Sequence, residues 1–468
     1  MTVLDTSPGL DYHAALAALA ERGRFGIRLG LGRTRALLRE LGDPQLAVRG
    51  ALVAGTNGKG SVLALAGSAL RAAGLRVGET PKPHLVSYRE RVVVDGHPIS
   101  APDFSRHVAA VLAAADRVAR RLGEPTEFEL LTAVVFRHFA EARLDVALVE
   151  VGLGGRLDAT HAWDGGVAAV TNVALDHMDR LGPTIAAIAR EKAAIIERGD
   201  RAVTGATGEA LDIVRRQARR VGAPLVIAEA APLIDQDRDG IIVDLPRLGP
   251  TRVGLRGRHQ AANVAVADAI LDALETAGIA AADDDARRRG YASAAWPGRL
   301  ELLSLPGGGE VLLDGAHNPA GAVALAAALD DLRRFLSEGP VRFVSAAMSD
   351  KDVDGVIAAL AGSRTLEAAT VYATSLPGLP RALPAGTLAT AWRRLAPGVR
   401  EVVVVDDPIA ATERAIEAGR GRGLTVVAGS LYLVGAVRAH LVGDPDLRDP
   451  DPGPAAGPGS ATAPGGVR

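Results

Sequence analysis

The stretch that most constrains this chain is Gly55-Thr56-Asn57-Gly58-Lys59-Gly60-Ser61. It follows a short apolar run, residues 51–54, that reads as a buried strand. It precedes an Ala- and Leu-rich run, residues 62–73, that reads as a helix closed by Gly74. Glycines in such a place let backbone N–H groups converge on a phosphate; the helix start adds positive potential and Lys59 a full charge. The strict pattern G-x-x-x-x-G-K-[ST] is not met. Val53 stands at the first glycine position, and Gly60 separates Lys59 from Ser61. The loop is therefore a variant, with Ser61 as the hydroxyl available to Mg²⁺.

The strand–turn–helix order recurs. Residues 146–151 and 168–172 read as strands; 11–22, 34–41, 104–121, 128–142, 185–197 and 260–277 read as helices; 238–253 reads as a small β excursion. This alternation specifies an α/β fold, a mostly parallel sheet with helices on both faces. Trp296-Pro297-Gly298-Arg299 is the linker candidate. Beyond it, residues 300–305 and 310–314 read as a hairpin, and further strands are expected at 342–347, 369–373, 402–405 and 425–428. The expected organisation is a larger domain over residues 1–298, a smaller α/β domain over 299–443, and a disordered Pro/Gly-rich tail over 444–468.

Composition bounds the function. The 468 residues suffice for two or three domains. Lys+Arg 53 against Asp+Glu 55 leaves a formal charge of −2, which argues against a nucleic-acid-coating protein or a polybasic membrane binder. The absence of cysteine excludes a disulfide framework and a thiol nucleophile. With no leader-like opening and no apolar run of about 18 residues, a cytoplasmic protein is expected. Only four basic residues are lysines (Lys59, Lys82, Lys192, Lys351), and only four asparagines occur (Asn57, Asn172, Asn263, Asn318). All eight lie in or beside motifs, where arginine or aspartate would not substitute.

Glu150 ends the run 146–151. A carboxylate at the carboxyl edge of a parallel sheet faces the ligand crevice and can hold Mg²⁺, which takes oxygen ligands; it can equally be a solvated strand-end acid. The following Gly152-Leu153-Gly154-Gly155-Arg156-Leu157 lacks the third glycine of a dinucleotide fingerprint, so an NAD site is excluded. Asp176-His177 follows the next strand. A lone histidine is usually structural, but beside a phosphate loop and a strand-end glutamate it is a candidate metal ligand. Arg190-Glu191-Lys192 reads, from the residues alone, as a solvated charge pair on a helix. Asp314-Gly315-Ala316-His317-Asn318-Pro319 makes a strand-to-helix turn able to close over a nucleotide, with Pro319 suited to a first helical position. Gln260 to Asn263 open a helix, with an amide that reads a base or sugar, or serves as a cap or a buried amide.

In order, the segments AGTNGKGSV (54–62), PHLVSYRERV (83–92), LVEVGLGGRLDAT (148–160), TNVALDHMDRLG (171–182), IAREKAAII (188–196), HQAANVAVA (259–267), WPGRLE (296–301), LLDGAHNPAG (312–321) and SDKD (349–352) resemble the folylpolyglutamate synthase/dihydrofolate synthase family of the Mur ligase superfamily. The resemblance implies a P-loop-type ATPase domain with a mostly parallel sheet, a Rossmann-like C-terminal domain, and an active site between them. It implies a monomeric ATP-dependent ligase that adds L-glutamate to dihydropteroate or a reduced folate, using Mg²⁺ and a monovalent cation such as K⁺, with no nucleic-acid or membrane partner.

Residue by residue, the resemblance implies that Gly55, Thr56, Asn57, Gly58, Lys59, Gly60 and Ser61 wrap the ATP phosphates. Ser61, Glu150 and His177 would hold Mg²⁺. Lys192 matches a lysine that becomes carbamylated, chemistry that needs an amine and that a guanidinium cannot supply. Lys59, Glu150, His177 and Lys192 form the implied catalytic set. Asn263, Arg299, Asp314 and His317 would contact the nucleotide across the domain interface, and Lys82, His84 and Asp158 the acid substrate.

One departure stands out. Lys82 occupies the place of a metal-ligating serine in the family's Ser-Pro-His-Leu. A protonated lysine cannot ligate. It is expected to act as a surrogate charge for a phosphate or a substrate carboxylate, or to mark a divergent paralogue with another acid substrate; a solvated loop lysine is the plain alternative. The alternative from another class is a nucleotide-binding protein without catalysis. The reaction itself dictates the ingredients. A carboxylate would have to expel oxide, so ATP first phosphorylates it and an amine then attacks the acyl phosphate, in a site closed to water.

Overall fold

The computed structural model describes residues 10–23, 28–419, 421–443 and 449. The expected tail, 444–468, lies outside the described residues except for Asp449. The strand Gly50–Ala54 is wholly buried and central to an eight-stranded sheet. It pairs in parallel with Val146–Glu150 on one side and Gly166–Val170 on the other. Val77–Thr80 extends the first side, and Arg201–Thr204 and then Leu225–Ile227 extend the second, all parallel. The two-residue strands Val93–Val94 and His97–Pro98 add an antiparallel edge. The chain leaves the central strand to one side and later crosses to the other. The carboxyl ends of Gly50–Ala54, Val146–Glu150 and Gly166–Val170 therefore flank a topological switch point, where open α/β sheets bind ligands.

The two faces of the sheet carry separate cores. One is built against Ala101–Leu122, Glu127–Ala142, Ile185–Ala193 and Gly208–Val221, and includes the fully buried Phe104, Phe136 and Phe139. The other packs Lys59–Ala72 and Gln260–Thr276 beneath the three-stranded antiparallel sheet Leu233–Asp237, Gly240–Leu245 and Gly249–Val253. A six-stranded sheet follows in the order Glu301–Ser304, Glu310–Asp314, Leu424–Ala428, Val341–Ser345, Thr370–Ala373, Glu401–Val404, parallel except for its first strand. The chain thus has an α/β architecture with two mostly parallel sheets, and the segment 296–299 runs between them. No described helix is long and apolar enough to cross a membrane.

Several expectations need correction. The helix read from residue 62 begins at Lys59, because Gly58 in the left-handed region (φ 81°) serves as its N-cap. The helix read over 185–197 ends at Ala193. Three further strands went unread: Val77–Thr80 and Arg201–Thr204 carry too little apolar sequence to mark a strand, and the apolar Leu225–Ile227 is only three residues long. Val77–Thr80 buries Glu79 by pairing it with Arg71, a tertiary solution that hydropathy does not show. The charged stretch at 283–289 is the start of a helix, Asp284–Ser293, capped by the Asp283 side chain, which accepts from Ala286 N at 2.7 Å. Its Arg287 is buried on Asp268 at 2.9 Å.

Candidate active site

The phosphate loop leaves the buried strand at Ala54 and turns into the helix at Lys59. The first intrahelical bond runs from Val62 N to Gly58 O at 2.9 Å. The amides of Lys59, Gly60 and Ser61 therefore lack helical acceptors and form the anion-attracting end of the helix. The neighbouring strand's loop buttresses the turn: Thr56 N donates to Asn172 O at 3.0 Å, Asn57 N to Asn172 Oδ1 at 3.0 Å, and Thr171 Oγ1 to Asn57 O at 2.7 Å. A Cβ on Gly58 would lie 2.3 Å from Asn263 Oδ1, so this glycine is required by close approach as well as by φ. Asn263 is thereby placed against the loop, its Nδ2 donating to Gln260 Oε1 at 2.8 Å; Gln260 Nε2 in turn reaches Ser61 Oγ at 3.4 Å.

Two lysines bond the loop, and a third lies against Glu150. Lys59 Nζ donates to Gly55 O at 3.1 Å and Thr56 O at 3.2 Å, and stands 3.7 Å from Glu150 Oε1. Lys192 is buried and donates to Gly55 O at 2.9 Å. Burial, and then the charge of Lys59, pull its ammonium down to about 7. Lys192 is thus no solvated helix charge. It is an amine that is substantially unprotonated near neutral pH. Lys82 Nζ reaches Glu150 O at 2.5 Å and lies 5.1 Å above the Phe128 ring; burial pulls it down to about 8 against the carboxylates of Asp158 and Glu150.

Glu150 is buried at the strand end, and Lys82 N donates to its Oε2 at 2.9 Å. Burial raises its pKa, opposed first by Lys59. Among the described residues no three His, Asp or Glu side chains are grouped to hold an ion unaided. Mg²⁺ does not demand such a cage. It keeps waters and takes one or two carboxylates together with substrate phosphates. The Glu150 carboxylate beside the loop fits that requirement.

Around His177 the two sheets' turns meet. His177 caps the short helix Met178–Leu181 in the left-handed region (φ 50°), with its side chain 42% exposed. Its charged neighbours are Asp176 and Lys351, the latter with Nζ 3.4 Å from Nε2. Lys351 Nζ also bonds Asp176 Oδ1 at 2.7 Å. Asn318 Nδ2 donates both to Asp176 Oδ2 at 3.0 Å and to Asn57 Oδ1 at 3.1 Å. Asp176 is thus the hub of a latch across the two units. Burial raises its carboxyl, but Lys351 and then His177 outweigh this and hold it well below the usual range. The latch was not read from sequence, although Lys351 was one of only four lysines.

The remaining expected site residues are accounted for as follows. Asp314 ends a strand and accepts from Leu300 N and Ala316 N, each at 2.9 Å, and it faces Arg299. Arg299 Nη1 donates to Gly298 O at 3.0 Å. His317 Nδ1 donates to Gly315 O at 2.8 Å; burial, and then Lys351, lower it to about 4, so the ring is neutral. His84 accepts from Arg91 Nε at 2.7 Å and is lowered to about 3, chiefly by burial. Asp158 engages its own loop, accepting from Leu153 N at 2.8 Å and Thr160 N at 3.1 Å. Lys82 and Arg91 line a small recess together with Phe128, Leu131, Val135 and Phe136.

Residues 53–271 match the model of the Mur ligase middle domain, and residues 305–440 that of the dihydrofolate synthetase C-terminal domain. The fold and the loop thus define a Mur-type, ATP-dependent ligase. The chain is 34% identical over 441 residues to the dihydrofolate synthase/folylpolyglutamate synthase of Bacillus subtilis (strain 168), covering 92% of this chain and 99% of that protein. The structure of Mycobacterium tuberculosis folylpolyglutamate synthase complexed with ADP and AMPPCP is 33% identical, with a TM-score of 0.82 over 94% of this chain and all (100%) of that one. That of E. coli FolC in complex with DHPP and ADP is 31% identical, with a TM-score of 0.78, covering 94% and 99% of the two chains. The chain belongs to the folylpolyglutamate synthase/dihydrofolate synthase family.

Proposed function

We propose that this ligase joins L-glutamate to dihydropteroate, to a reduced folate, or to both, through an acyl phosphate, acting as a cytoplasmic monomer with ATP, Mg²⁺ and a monovalent cation such as K⁺. The observation that carries the reading is the convergence of Lys59, Lys192 and Glu150 on one phosphate loop at the switch point. The loop amides and Lys59 hold the β and γ phosphates and keep the γ-phosphoryl group in line with the acid carboxylate. Glu150, with Ser61 and His177, would hold Mg²⁺, which when bound supplies charge neutralisation to the transferring phosphoryl group. The unprotonated Lys192 amine adds CO₂ and releases a proton to give a carbamate, which places an anion beside the loop. Asp314, Arg299, His317 and Asn263 contact the nucleotide. Lys82, His84 and Asp158 line the acid's side of the crevice. The Asp176 latch keeps the two units closed, which protects the acyl phosphate from water.

Oxygen-18 in the acid carboxylate tests the chemistry. The acyl-phosphate route transfers one labelled oxygen to inorganic phosphate during turnover; unlabelled phosphate with amide formation contradicts it. A second reading, a ligase for a different acid, is favoured by one observation. Lys82 brings an amine to the lining of the recess beside Phe128, at a position where the resemblance implies serine.

A further inference from the structure

Away from the phosphate loop, the segment after Asp158 ends in the turn Ala159–Ala162, which buries His161. His161 Nδ1 lies 3.2 Å from the carbonyl oxygen of Arg156. A carbonyl can only accept, so Nδ1 carries a proton, and in the neutral ring Nε2 then presents its lone pair. Nε2 is buried without a hydrogen-bond partner. It faces Glu197, whose Oε1 is 3.3 Å away. That separation is long for a charge-assisted N–H···O bond, which runs about 2.7–2.9 Å. It matches another geometry: two donors each about 2.0–2.1 Å from a tetrahedral cation stand about 3.3 Å apart. The two groups line a recess of about 200 Å³ together with Asp164 and Asp200. Asp200 accepts from Glu197 N at 2.7 Å, which fixes the backbone that carries the Glu197 carboxylate at this recess. The Glu197 side chain is half exposed and leaves a way in from solvent.

We propose that His161 Nε2 and the Glu197 carboxylate bind a borderline divalent cation of the Zn²⁺ class, with water completing its shell. Among the described residues no three His, Asp or Glu side chains enclose an ion by themselves, so the site has two protein ligands and exchanges readily. The ion would tie the end of the Asp158 loop to the segment that follows the Lys192 helix, a link reinforced by Arg156 N donating to Glu191 O at 3.0 Å. This site stands apart from the phosphate loop and does not depend on which acid the ligase uses.

The test titrates the nucleotide-free full chain with Co²⁺, read by its visible absorption, and with Zn²⁺ by calorimetry. The expected result is a site present in the wild type and in His177→Ala, and weakened roughly tenfold or more in His161→Ala and in Glu197→Gln. Glu197→Gln alters a half-exposed side chain, so it serves even if His161→Ala fails to fold. No binding to the wild type, or binding unchanged in Glu197→Gln, overturns the proposal and leaves an imidazolium–carboxylate pair only.

Discussion

Replacing Lys192 with methionine should stabilise the protein while abolishing its activity. Lys192 is buried, and its ammonium is pulled from 10.5 to about 7. A lysine whose folded pKa is depressed opposes folding. The unfolded chain binds the proton that the folded chain sheds, so stability rises with pH between about 7 and 10.5 and the penalty is complete below that window. Each pKa unit is worth about 1.4 kcal/mol, so the penalty at pH 6 has a ceiling of about 5 kcal/mol. Methionine has similar length and no charge. It forfeits the bond to Gly55 O, worth about 1 kcal/mol, but that oxygen keeps Lys59 Nζ as a donor. A net gain of roughly 2–4 kcal/mol is expected at pH 6, shrinking to under about 1 kcal/mol at pH 10. Thermal or urea unfolding midpoints of wild type and variant at the two pH values measure it. Lys192→Arg should be equally inactive, because it restores charge without the amine. A Lys192→Met midpoint that falls at pH 6, or rises equally at both pH values, would refute the suppressed-charge account.

Three further outcomes follow from the geometry. Asp176→Asn removes the carboxylate charge that pairs with Lys351 and leaves one amide oxygen for the two donors Lys351 and Asn318; it should lower kcat about tenfold, the equivalent of about 1.4 kcal/mol, with ADP affinity little changed, and steady-state kinetics beside nucleotide titration measure the split. Because the Asp176 carboxyl is held below its usual range, the stabilisation it gives is present above the ordinary carboxylate pKa and is lost as pH falls through the depressed value. Gly58→Ala forces a Cβ to 2.3 Å from Asn263 Oδ1 at a φ of 81°, so nucleotide affinity should collapse and stability fall by about 1–3 kcal/mol, as calorimetric titration and unfolding will show. If Lys82 holds the acid substrate as proposed, Lys82→Ser should raise KM for the acid about tenfold while Lys82→Arg keeps it near the wild-type value; improved Mg²⁺ affinity without lost turnover in Lys82→Ser would deny Lys82 a special role.

What the sequence disclosed depended on how local its signal was. The strand–glycine loop–helix unit at 50–72 was legible because its apolar run, glycines and lysine are contiguous. The hairpin before Asp314 was legible for the same reason, since Pro306 and the glycines after it interrupt two apolar runs. Val77–Thr80 was missed because Glu79 sits inside the fold on an arginine from another element. Lys192 looked like a surface charge on its own helix, and only the convergence of that helix with Gly55, 137 positions away, makes it buried. The Asp176–Lys351 latch spans 175 positions, and no periodicity or spacing can register such a pair. The scarcity of lysine and asparagine, and the motif segments that hold Asp176, Asn318 and Lys351, singled out its members but not their pairing.

The measurement that tests the account most directly is acid-dependent ADP release with ATP, Mg²⁺ and L-glutamate, offering dihydropteroate and tetrahydrofolate separately and weighing the products by mass spectrometry. The account predicts that at least one acid gains the mass of a single glutamyl unit in step with ADP formed. Protein that binds ATP but releases no ADP above background with either acid would contradict it.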